Sequence, residues 1–154
     1  MGATPFVIGI TGHRDVIADD VDAVKASIKS IISTLSDTMP ETPITVVSGM
    51  ADGADRYVAE MALSMGLKVD AVLPMPLDIY KDDFDDVSLK DLNTFLSHED
   101  VTCIELPLPV GVASVDAADH AIRAKLYNAL GDYLVTYSNI LLSVWDGKNT
   151  GLTG

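Results

Sequence analysis

The sequence predicts a single α/β domain, doubly wound around a mainly parallel sheet of about five strands. Three observations predict it. Its 154 residues, 48% of them hydrophobic, suit one globular core. Five short apolar runs alternate with segments of helical periodicity. Each run is continuous rather than alternating polar with apolar, as strands covered on both faces require.

The elements follow in order. Phe6–Ile10 is the first apolar run, and Val21, Val24, Ile28, Ile31, Ile32 and Leu35 then recur at helical spacing, with Asp19 placed as cap and Met39-Pro40 beyond the end. Ile44–Val47 is the second strand. A helix from about Ala54 to Met65 follows, burying Val58, Met61, Ala62 and Met65, with Gly66 as its stop. Val69–Leu73 is the third strand. The next connection is long and acidic through Lys81-Asp82-Asp83-Phe84-Asp85-Asp86 and is expected to be partly mobile before a helix at Ser88–Leu96, where Ser88 and Asp91 have capping-box spacing. After the fourth strand, Thr102–Leu106, Pro107 and Pro109 break regular structure. A helix from about Asp116 to Tyr137 buries Ile122, Leu126, Leu130, Leu134 and Tyr137 and leads into the fifth strand, Ile140–Trp145. The sequence then stops inside a loop, so the helix expected to cover that strand is missing and a homo-oligomer is expected to cover it instead.

Composition bounds the function. Ten Lys+Arg against 23 Asp+Glu give −13, a field that repels a phosphate backbone and makes a nucleic-acid partner unlikely on charge alone. One small anionic ligand is still allowed, because local amides and one arginine outweigh distant, screened charge. No apolar run reaches the roughly 18 residues of a membrane span, no secretory leader is visible, and the single cysteine, Cys103, can form no intrachain disulfide. A cytoplasmic location without membrane contact is the expectation. No cofactor or metal is called for.

In a doubly wound sheet, ligands sit beyond the carboxyl ends of the strands. The first strand ends in Gly9-Ile10-Thr11-Gly12-His13-Arg14, where glycine admits a close backbone approach and Arg14 offers a planar fork for phosphate or carboxylate. His13 at such a turn is more often hydrogen-bonded than catalytic. The second strand ends in Ser48-Gly49-Met50-Ala51-Asp52-Gly53, directly before a helix whose first N–H groups can hold a phosphate. There, Asp52 or Asp55 can simply cap the helix, or Asp52 can accept ribose hydroxyls. The third runs into Pro74-Met75-Pro76, with Tyr80 and Phe84 either stacking on a purine-like ring or anchoring their loop to the core. The fifth ends in Trp145-Asp146-Gly147-Lys148-Asn149-Thr150-Gly151-Leu152-Thr153-Gly154, a second candidate cradle.

Taken together, Gly9 to Arg14, Ser48 to Arg56, Leu73-Pro-Met-Pro76 with Tyr80 to Phe84, and Leu142 to Gly147 with Gly151 resemble the SLOG superfamily of Rossmann-like domains. That group includes the LOG phosphoribohydrolases, a DNA-processing branch and domains proposed to sense nucleotide-derived signals. The resemblance implies a strand order 3-2-1-4-5 and a nucleotide site built from Gly12, Arg14, Ser48, Gly49, Asp52, Gly53, Asp146, Gly147 and the Gly151–Gly154 loop. His13 and Pro74 are counted among its ligand-binding residues. LOG enzymes carry Pro-Gly-Gly-x-Gly-Thr-x-x-Glu, whereas Gly151-Leu-Thr-Gly154 lacks the Pro-Gly-Gly and no glutamate follows, so no catalytic residue carries over. The leading expectation is therefore a module binding a nucleotide, cyclic nucleotide or ADP-ribose-like ligand as a sensor. The alternative is a LOG-like N-glycosidic hydrolase of nucleoside monophosphates, with Asp52 or Asp83 as the acting carboxylate. DNA processing ranks third because −13 offers no basic groove.

Overall fold

A computed structural model describes residues 2–116 and 118–148. Five parallel strands, β1 (Phe6–Gly12), β2 (Ile44–Ser48), β3 (Lys68–Leu73), β4 (Val101–Glu105) and β5 (Ile140–Val144), form one sheet in the order β4-β3-β2-β1-β5. The class and the β3-β2-β1 succession are those expected. Strand β4, expected beside β1, lies outside β3, and β5 takes the place beside β1. The physical consequence is one-way winding: β1 to β4 step in a single direction, and one long connection returns across the sheet.

The helices are α1 (Val21–Thr38), α2 (Ala54–Ser64), α3 (Leu77–Tyr80), α4 (Asp86–Leu96) and α5 (His120–Tyr137). Alternation along the strands sorts them into two layers. On one face Ile8, Ile10, Val46, Val69, Ala71 and Leu73 pack with Ile28 and Ile32 of α1, Val58, Ala59 and Ala62 of α2, and Leu92 of α4. On the other, Val47 and Val72 meet Leu130 and Leu134 of α5. Right-handed crossovers demand this split, because reversing the direction of travel moves the crossover helix to the opposite face. With α5 alone packed over the second face, β4 and β5 are not covered on both sides as their apolar runs suggested. Both are edge strands, with Thr102, Cys103, Leu141 and Ser143 exposed.

Several helix starts differ from expectation. Asp19 falls in a 3-10 turn, Ala18–Asp20, and α1 has no side-chain cap. At α4 the cap is Asp85, which accepts from the Ser88 amide, in place of a Ser88–Asp91 box. Helix α5, expected from about Asp116, is capped by Asp119, which accepts from the Ile122 amide. The acidic connection expected to be mobile is helical through α3 and a following 3-10 turn, Lys81–Asp83.

Candidate functional site

The carboxyl ends of β1 and β2 meet. The Ala54 amide, first in α2, donates to the His13 carbonyl at 3.2 Å. Gly53 makes this approach possible: its φ is +79°, and a Cβ there would lie 2.2 Å from the Arg14 carbonyl oxygen and 2.5 Å from that of His13. A Cβ on Gly12 would lie 2.6 Å from Ala54 Cβ, and one on Gly49 2.6 Å from Leu130 Cδ2 of α5. On its other side β1 is joined to β5, where the His13 amide donates to the Val144 carbonyl at 3.2 Å and His13 Nε2 stands 3.5 Å from Asp146 Oδ1.

The amide cradle expected at the end of β2 is largely spent internally. The Met50 amide donates to Ser48 Oγ at 3.1 Å, Ser48 Oγ donates to the Asp55 carbonyl at 2.9 Å, and the Ala51 amide donates to Asp55 Oδ2 at 3.3 Å. Asp55 is thus packed beneath the loop, and burial pushes its carboxyl up to about 7. Asp52 caps nothing. It receives Arg56 Nη1 at 2.9 Å and the hydroxyl of Ser88.

Side chains, not amides, dominate the rim. Arg14 Nη2 donates to the Tyr127 hydroxyl at 2.8 Å, and its guanidinium carbon lies 5.6 Å from the Phe84 ring centre and 5.8 Å from that of Tyr127. Tyr127 donates to Asp83 Oδ2, and Arg123 donates to Asp83 Oδ1. Arg56 sits 5.0 Å from the Phe84 ring centre and reaches the carbonyls of Met50 and Ser88 at 3.1 and 2.9 Å. Arg56 and Arg123 are only 7% and 6% exposed, and among the described residues Arg56 Nη2 and Arg123 Nη1 are buried without an acceptor. Arg14 has no carboxylate partner within ion-pair distance among the described residues and is exposed. Three guanidinium groups therefore face the carboxylates of Asp52 and Asp83, with Asp55 half protonated near neutral pH. The rim can accept an anion although the whole chain repels one, since charges beyond a Debye length of about 8 Å are largely screened.

Of the residues expected here, Gly12, His13, Arg14, Ser48, Gly49, Asp52 and Gly53 come together. Asp146 joins through His13; it also accepts from the Lys148 amide at 2.9 Å, which holds its carboxyl below the usual carboxylate pKa range. Gly147 turns the exposed chain there with φ +81°. Pro74 is buried. Gly151 and Gly154 lie outside the described residues. Tyr80 offers no stacking surface: it is fully buried, and its hydroxyl donates to the Gly49 carbonyl at 2.9 Å. The sequence reading missed Arg123 and Tyr127. Their i, i+4 spacing puts a polar pair on one helix face beside the apolar stripe, and that was the available signal. No cluster of three metal-ligating side chains occurs among the described residues.

Fold and rim define a SLOG-type Rossmann-like domain. The sequence profile of the DNA recombination-mediator protein A family matches residues 5–91, more than half of the chain, and the chain belongs to that family. A solved structure of DNA processing protein A (DprA) from Streptococcus pneumoniae is similar at 24% identity and a TM-score of 0.41, over 67% of this chain and 30% of that one. The chain thus spans under a third of that protein's length. No curated protein matches.

Family membership corrects two expectations. The small-ligand sensor, with its LOG-like hydrolase alternative, gives way to the DNA-processing branch that had ranked third, and the exclusion of a nucleic-acid partner falls with it. The exclusion of nucleic acid, and with it the low rank of DNA processing, came from reading −13 as if it acted uniformly, when the arginines are gathered at one rim. No described helix is long and apolar enough to cross a membrane.

Proposed function

We propose that this chain serves DNA recombination by holding single-stranded DNA at the carboxyl rim of its sheet, with Arg14 as the phosphate contact, and that it does so in the cytoplasm. One observation carries the reading: Arg14 is exposed at the junction of β1, β2 and α5, oriented by Tyr127 and Phe84, with no carboxylate partner among the described residues. A guanidinium stacked on aromatic rings keeps its fork pre-oriented for a phosphate. Membership of a family of DNA recombination mediators supports the nucleic-acid partner. Charge favours a single strand over a duplex, because a duplex presents about one charge per 1.7 Å and a chain of −13 has no extended basic groove to match it.

The test is anisotropy of a labelled oligodeoxythymidylate titrated with protein at several salt concentrations. Binding is expected to weaken with salt at a shallow slope, on the order of one or two phosphate contacts at about 0.7 per contact. Arg14→Ala is expected to weaken binding about 10- to 150-fold, the loss of one charge-assisted contact of roughly 1.5–3 kcal/mol. An unchanged affinity in that variant, or tighter binding to a duplex of equal length, overturns the reading.

A further inference from the structure

The chain has one tryptophan, and it is 63% exposed. A tryptophan so placed is unusual, since this residue is highly buried on average. Trp145 follows directly on β5, and its neighbours on both sides touch the first rim loop: Val144 accepts from the His13 amide, and Asp146 stands 3.5 Å from His13 Nε2. Strand spacing sets the backbones of Gly12 and Val144, the last paired residues of β1 and β5, roughly 5 Å apart, and His13-Arg14 and Trp145 follow directly on them. The ring is also fixed. Its indole N–H donates to the Lys148 carbonyl at 2.8 Å, so the polar edge is satisfied locally while most of the side chain faces solvent. Lys148, whose side chain is 79% exposed, stands with its Nζ 3.7 Å from Asp146 Oδ2, so the turn carries a paired charge.

We infer that Trp145 is a base-stacking platform, on which a base of single-stranded DNA lies while its backbone passes Arg14. This rests on the proposed single-strand reading. Charge explains why such a platform is needed: at −13 the counterion-release drive available to basic proteins is small, so Arg14 must be supplemented by contacts indifferent to the phosphate. Stacking on an aromatic ring is such a contact, and it tolerates any base. Phe84 and Tyr127 cannot supply it on the faces that hold Arg14 and Arg56.

Because Trp145 is the only tryptophan, its fluorescence reports the contact directly. The 154-residue chain is titrated with a twelve-residue oligodeoxythymidylate and with an abasic strand of equal phosphate count. Saturable quenching by the first and little by the second is expected. Trp145→Ala is expected to weaken the oligothymidylate about 5- to 150-fold, read by anisotropy of the labelled strand, equivalent to roughly 1–3 kcal/mol. It should leave the abasic strand unchanged, and Trp145→Phe should recover part of the loss. Binding that persists without quenching, with Trp145→Ala at parental affinity, overturns the platform and leaves the single-strand reading intact. No binding of either strand removes both. Emission that changes on diluting the protein alone, and not on adding DNA, assigns the exposed ring to a second copy and also overturns the platform.

Discussion

At Gly53 the backbone conformation and the close approach make the same demand. A side chain there must adopt φ near +79° and place its Cβ 2.2 Å from the Arg14 carbonyl oxygen. Gly53→Ala is therefore expected to destabilise the fold by at least about 2 kcal/mol, read as a lower urea midpoint at unchanged slope. Tyr80→Phe removes only the hydroxyl bond to the Gly49 carbonyl and leaves a buried carbonyl without that donor. A cost of about 1–3 kcal/mol is expected in the same assay. Much of this scale was legible in the sequence. The glycines, His13 and Arg14 stood out because turns and phosphate forks need particular residue types. The partners of Asp52 and Asp83 did not: Ser88 is 36 residues from Asp52, and Arg123 is 40 from Asp83, with only the fold to join them.

Among the elements, the loop between β2 and α2 is pinned by a carboxyl with an unusual titration. Asp55 lies near pH 7 in the folded chain because burial disfavours its charge, while in the unfolded chain it falls near 3.8. The folded state keeps a proton that the unfolded state has already released. Stability from this group is thus fully present below about pH 4 and is lost as pH rises through 7. Asp55→Asn retains an acceptor for the Ala51 amide and removes the penalty. It is expected to melt higher than the parent at pH 8, with the difference vanishing toward pH 4. Packing is legible at this scale in part: Ile28 and Ile32 of α1 and Leu130 and Leu134 of α5 are buried as their spacing implied, whereas Tyr137, expected to be buried at the end of α5, is exposed, as is Ile31 of the α1 series. The edges were not, because a continuous apolar run reads the same in a central strand as in β5, where Leu141 is open to solvent.

For the whole molecule, charge and topology govern behaviour. With 23 acidic against 10 basic residues, the sequence isoelectric point is about 4.2, so solubility is expected to be lowest near that pH and turbidity to clear on either side. The proposed DNA affinity at the rim is expected to rise over the same descent from neutrality as the acidic surface loses charge, and a pH series of the anisotropy titration checks it. Overall charge pointed away from nucleic acid because an average says nothing about where three arginines gather. The general architecture was readable from strand–helix alternation, but strand order was not, since alternation is the same whether β4 lies beside β1 or outside β3.

The position of β5 sets the order of assembly. Strand β1 is the first of the five, yet the partner on one of its sides is the fifth: the Val7 amide donates to Asn139 Oδ1, 132 residues away, at 2.7 Å. On a ribosome β1 must wait, half paired, until the other four strands have emerged, and such late, distant pairing is slow. A nascent or prematurely terminated copy would hold β1 as a bare edge with no closed rim beside it.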